Sequence, residues 1–128
     1  MSASRFKLAL AQQNFRVGDV AANLRCMQEC TQVARAAQAD LIVFPELALV
    51  GYPPEDLLFH RGLRARVDAA LHELAEAADG IALITGYPEY TDNDNGIHNT
   101  AAVFSNRGEL ARYRKQQLPN YQVFDEKR

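Results

Sequence analysis

The stretch Leu41-Ile-Val-Phe-Pro-Glu46 is an unbroken apolar run, stopped by a proline and followed at once by a carboxylate. A short continuous run of this kind is the mark of a strand covered on both faces, as in a parallel sheet. Working outward, Phe6, Leu8 and Leu10 alternate at period two and predict a first strand through about Gln12. Gly18-Asp19 then marks a turn and an N-cap, and Val20, Leu24, Met27 and Ala34 recur at helical spacing, predicting an amphipathic helix over about 20–38. Beyond Glu46, the segment to His60 holds two adjacent prolines, a glycine and several acids, so it reads as a loop with one helical turn near Glu55–Phe59. Leu63, Val67, Leu71 and Leu74 share one face of a second helix, closed by Asp79-Gly80. Ile81–Thr85 reads as another buried strand, and Asp92-Asn-Asp-Asn-Gly96 as a polar turn. Thr100–Phe104 and Leu110–Arg114 form a hairpin across Asn106-Arg-Gly108. The resulting order, β-α-β-loop-α-β-β-β, is that of an α/β fold whose sheet is covered by helices.

Composition agrees with one soluble domain. The chain has 128 residues, 48% hydrophobic and 23% charged, with a net charge of −2. No basic field suited to nucleic acid is present, no polybasic membrane patch, and no apolar run long enough to span a bilayer. The charged opening Met1-Ser-Ala-Ser-Arg-Phe-Lys7 does not read as a signal peptide, and two cysteines are too few for a disulfide scaffold, so a cytoplasmic setting is expected. The chain stops in the polar stretch Phe124-Asp-Glu-Lys-Arg128, an ending that resembles the middle of a domain.

Two residues carry chemical interest on their own. Glu46 sits at the C-terminal end of a buried parallel strand, where α/β ligand sites gather. A carboxylate at such a rim can be made more basic by desolvation, as a general base requires; the alternative is a surface glutamate after a strand. Lys115 ends the last strand and can project an ammonium into the same crevice to stabilise an oxyanion; alone, it reads as a solvated lysine beside Arg112 and Arg114. Cys26 and Cys30, four apart on the first helix, lack a second pair of zinc ligands and sit at no elbow or helix N-terminus, so neither is expected to bind zinc or act as nucleophile. His60, His72 and His98 show no metal spacing, and Gly80, Gly86, Gly96 and Gly108 are isolated rather than part of a phosphate loop.

Taken together, Phe44-Pro-Glu46, Tyr113-Arg-Lys115 and the following Leu118-Pro119 resemble the opening of the nitrilase, or carbon–nitrogen hydrolase, superfamily. Its members use a Glu-Lys-Cys triad on a four-layer αββα sandwich. Three longer stretches are similar to the glutaminase domains of glutamine-dependent NAD⁺ synthetases. They are Leu8-Ala-Leu-Ala-Gln-Gln-Asn-Phe-Arg-Val-Gly-Asp19 with Asn23, Gly51-Tyr-Pro-Pro-Glu-Asp-Leu-Leu58, and Lys115-Gln-Gln-Leu-Pro-Asn-Tyr-Gln-Val-Phe-Asp-Glu-Lys-Arg128. The resemblance covers essentially all 128 residues.

The resemblance implies a nitrilase-like fold of which residues 1–128 supply the first half, with the synthetase domain absent. It implies Glu46 as general base, Lys115 as oxyanion stabiliser, Glu126 as a second glutamate that orients the lysine, and Tyr52 and Tyr121 as walls of a glutamine pocket. The nucleophilic cysteine would lie downstream of Arg128, so the chain alone should not hydrolyse glutamine. ATP and Mg²⁺ would serve the absent synthetase domain, with no cofactor here, and the partners implied are glutamine, the rest of the synthetase chain and further copies in a homo-oligomer. Two other readings stay open: a different amidase, carbamoylase or nitrilase, and a non-catalytic binding module.

Overall fold

The computed structural model describes residues 5–52, 58, 62–91 and 96–115. Its elements follow the order read from the sequence: β1 (Leu8–Leu10), α1 (Val20–Ala36), β2 (Leu41–Val43), α2 (Leu63–Ala77), β3 (Ala82–Tyr90), β4 (Ile97–Ser105) and β5 (Gly108–Arg114). They build one five-stranded sheet in sequence order, with β1, β2 and β3 parallel and β3, β4 and β5 antiparallel. The two crossovers step the same way across the sheet, so right-handed connections bring both helices to one face, where they pack together.

Local signals account for the element ends. The Asp19 carboxylate accepts the Ala22 N–H at 3.1 Å and caps α1. Gly80, just past α2, has a positive φ of 75° that a side chain disfavours. Asn106 and Arg107 both take positive φ, the backbone of a two-residue hairpin turn whose hand matches the twist of β4 and β5.

Two expectations change. β2 is not covered on both faces: Ile42 is buried under the helices, while Leu41 and Val43 are only partly covered on the other side. The third strand does not end at Thr85 but runs on to Tyr90.

The core lies on the helix face. Ile42, Leu83 and Phe104 are registered neighbours across three strands, buried with Met27, Leu24, Leu63, Val67 and Leu74 of the helices. On the opposite face Leu10, Val43, Ile84, Val103 and Ala111 form one registered apolar row across all five strands. That row is partly open, and Leu10 is 64% exposed. The segment after β2 is a loop, as its sequence suggests, and within it Leu47, Ala48, Leu49 and Val50 are buried in tight turns. Asn23 fastens this segment to the one after β1, its amide accepting the Arg16 N–H and donating to the carbonyls of Arg16 and Leu49. The expected helical turn near Glu55–Phe59 and the Asp92–Gly96 turn fall largely outside the described residues. No described helix is long and apolar enough to cross a membrane.

Candidate active site

Glu46 owes its position to three backbone features. β2 ends at Val43, Pro45 breaks the strand, and Leu47 adopts a positive φ of 55° that folds the chain back. The folded turn crosses β3 at Gly86, where a Cβ would lie 2.7 Å from the Leu47 nitrogen and 3.3 Å from the Glu46 Cα. Only glycine admits that approach. The Glu46 side chain thereby reaches past β3 to β4 and β5.

Two donors meet it there, one on each carboxylate oxygen. Lys115 Nζ donates to Oε2 at 2.9 Å, and Asn99 Nδ2 donates to Oε1 at 2.6 Å. Both ends of the ion pair are accessible, with side-chain exposures of 37% for Glu46 and 39% for Lys115, whereas Asn99 on β4 is 3% exposed. Lys115 extends the β5 ladder by one bond, its N–H donating to the Asn99 carbonyl at 2.8 Å.

Strand alternation separates this lysine from the arginines before it. Arg112 and Arg114 point to the helix face, where both form ion pairs with Glu89. Hydrogen bonds from Arg114, Thr100 and Arg112 hold the Glu89 carboxyl down at about 2 against the opposing effect of its burial. That carboxylate has its acceptor sites occupied and remains ionised, so it is not a base for catalysis. Glu46, by contrast, meets a cation and an amide and is partly open to solvent.

A cavity of about 230 Å³ opens beside Glu46, lined by Gln13, Asn14, Phe15, Pro45, Ala48 and Tyr52. Glu46 thus pairs with Lys115 and shares this cavity with Tyr52, while Tyr121 and Glu126 lie outside the described residues. A larger groove, about 700 Å³, separates α1 from α2. It carries no such pair, and its Arg35 is engaged by the carbonyls of Ala77 and Asp79 at the end of α2. Cys26 and Cys30 line another groove, beside β1, together with Ala9 and Ile42. That groove and the Glu46 cavity have only Gln13 in common, and neither cysteine lines the Glu46 cavity. Burial and the neighbouring Cys26 raise the Cys30 thiol above its ordinary value, which opposes thiolate formation.

Sequence reading missed Asn99 and Gly86. The signal for Asn99 was a polar residue near a strand end, on the same face as Ala101 and Val103. Gly86 signals a close backbone approach only once its neighbour is known.

Residues 7–128 match the carbon-nitrogen hydrolase family. A glutamine-dependent NAD(+) synthetase of Acinetobacter baylyi is 42% identical over 123 residues, which is 96% of this chain and 22% of that protein. The solved structure of a glutamine-dependent NAD+ synthetase from Acinetobacter baumannii, in complex with ADP, matches with a TM-score of 0.84 at 40% identity, covering 94% of this chain and 22% of that one. An amidase from Nesterenkonia sp. matches with a TM-score of 0.83 at 26% identity, over 100% of this chain and 50% of the amidase. The chain therefore spans 22% of the length of the synthetases it resembles.

Proposed function

The chain belongs to the carbon–nitrogen hydrolase family, and from that premise we propose that Glu46 and Lys115 are two of the three catalytic groups of a glutamine-hydrolysing site that supplies ammonia for NAD⁺ synthesis. The observation that carries this reading is the 2.9 Å pair of Glu46 and Lys115, whose Glu46 also lines a cavity walled by Tyr52. The identity to glutamine-dependent NAD⁺ synthetases, 42% with one of them, supports the choice of glutamine.

The third group is a cysteine thiol contributed by sequence outside these residues, since Cys26 and Cys30 line a different groove. Acrylamide has added to the active site cysteine in a structure of a glutamine-for-glutamate mutant of the Nesterenkonia amidase, which supports a thiol nucleophile for this site. In the proposed route Glu46 takes the thiol proton as sulfur attacks the side-chain amide carbon of glutamine. The oxyanion of the tetrahedral intermediate faces the Lys115 ammonium, which offsets the developing charge. Glu46 returns the proton to the departing nitrogen, ammonia leaves, and a thioester remains. Glu46 then deprotonates a water that attacks the thioester, and the thiol is reprotonated as glutamate departs. Two acyl transfers replace one difficult amide hydrolysis.

Residues 1–128 are proposed to be the N-terminal portion of the glutaminase domain, with a second sheet lying on the apolar face that Leu10, Val43 and Ile84 present. Coverage of 50% of the amidase supports this. ATP and Mg²⁺ are proposed to act at the synthetase part of the longer protein. Among the described residues no group of three or more His, Cys, Asp or Glu could hold a metal ion.

The test is a chimera in which residues 1–128 replace the matching segment of the Acinetobacter baylyi synthetase. Ammonia release from glutamine, with acetamide and a simple nitrile turned over poorly, is the expected result. Preference for a small aliphatic amide or nitrile would move the site to another member of the family, and no hydrolysis of any of the three would overturn the reading.

A further inference from the structure

We infer that Asn99 is a positioning residue that sets the direction in which Glu46 gives and takes protons, an inference that rests on the glutaminase reading above. One buried residue governs both members of the pair. The Asn99 amide donates to Glu46 Oε1 at 2.6 Å, and its main-chain carbonyl accepts the N–H of Lys115 at 2.8 Å. The Lys115 ammonium closes the circuit on Glu46 Oε2 at 2.9 Å.

The pair needs such a holder. Glu46 and Lys115 are long side chains with more than a third of their surface exposed, and ion pairs of that kind are loose because ordering both ends costs entropy. Asn99 has a short side chain, is 3% exposed and stands on a paired strand, so its ordering cost is met by folding. Its nitrogen must face the carboxylate, since the amide oxygen would repel it.

With Asn99 on one oxygen and Lys115 on the other, each Glu46 oxygen accepts one hydrogen bond and keeps capacity for a further proton or donor. The proposed cycle uses Glu46 for three proton transfers, from thiol, to leaving nitrogen and from water. All three demand one carboxylate orientation, whereas glutamine binding depends on the cavity by Tyr52. Loss of the amide donor therefore falls on kcat and leaves KM in place.

The experiment measures kcat and KM for glutamine in the chimera and in its Asn99→Asp, Asn99→Leu and Asn99→Ser variants, with crystal structures of the Ser variant and the parent. Asn99→Asp keeps the shape and replaces the donor with an acceptor; Asn99→Ser keeps a small polar group too short to reach Glu46. The expected result is a kcat lowered at least about tenfold in each folded variant, with KM within about twofold, and Glu46 turned away from Lys115 in the Ser crystal. Unchanged kcat, a rise in KM alone, or Glu46 still seated on Lys115 without the amide would overturn the proposal. Ammonia release by the unsubstituted chimera reads the glutaminase assignment separately. If that assignment fails, the Ser crystal still decides whether Asn99 orients Glu46.

Discussion

At the scale of single residues, the site depends on what is missing at one position as much as on what is present at three others. Glu46 reaches Asn99 and Lys115 because Gly86 has no side chain where the Pro45–Leu47 turn crosses β3. Gly86→Ala would place a methyl 2.7 Å from a backbone nitrogen, which cannot swing aside as a side chain could. The expected cost is about 1–3 kcal/mol of stability in a denaturant titration, the range of overpacked sites, together with displacement of Glu46. A variant as stable as the parent would show that the turn is free to move. Glu46 and Lys115 were legible in the sequence because strand ends are where charged residues gain chemical meaning. Asn99 and Gly86 were not, since each meets the Pro45–Leu47 turn, more than ten residues away, which only the folded chain brings near. Tyr121 and Glu126, named only through the resemblance to glutaminases, lie beyond the described residues.

At the scale of elements, the length of β3 explains both a missed boundary and the room for the site. The extension past Thr85 takes in Gly86 and Pro88, although proline lacks the N–H that a central strand donates. β2 pairs only with Ala82–Ile84, however, so beyond that point β3 is an edge on its β2 side. The Asn99 carbonyl turns toward β5 to accept the Lys115 N–H, which makes Pro88 and Asn99 a pair without hydrogen bonds between them. The missing N–H of Pro88 therefore faces the side that β2 has vacated, and the ladder to β4 loses nothing. The far ends of β3, β4 and β5 are fastened by Glu89, Thr100, Arg112 and Arg114. Glu89 is held at about 2, below the ordinary 4.5, chiefly by the hydrogen bond from Arg114, then by Thr100 and Arg112. A carboxyl depressed on folding adds stability above its unfolded value and loses it as the pH falls through the folded one. Stability should therefore decline between about pH 4.5 and pH 2 as Glu89 is protonated. Its side chain is 10% exposed, but both guanidiniums are nearly half exposed. Screening there limits the contribution to about 2 kcal/mol. Glu89→Gln should remove that amount at pH 7 and flatten the decline in urea titrations across the acid range. An undiminished acid decline in the variant would assign it to other carboxylates.

At the scale of the whole molecule, one sheet serves two surfaces with different tasks. The helix face holds the core, and the order of elements that builds it was readable because helical and strand periodicities alternate cleanly along the chain. The other face carries an apolar row from Leu10 to Ala111, with the Glu46–Lys115 pair beyond it at the rim. Continuous hydrophobicity in β2 suggested burial on both sides. In the structure Ile42 is buried while Leu41 and Val43 belong to an apolar face that the described residues leave partly open. The central claim, that Glu46 is the base of an amide-hydrolysing site, is tested most directly by glutamine-dependent ammonia release in the chimera carrying Glu46→Gln. That substitution keeps the side chain's size and its capacity to accept from Asn99, and removes its ability to take a proton. The account predicts a loss of about a hundredfold or more in kcat, the scale of a general acid–base group, with glutamine still bound. Ammonia release within about threefold of the parent rate, far short of that scale, would contradict it.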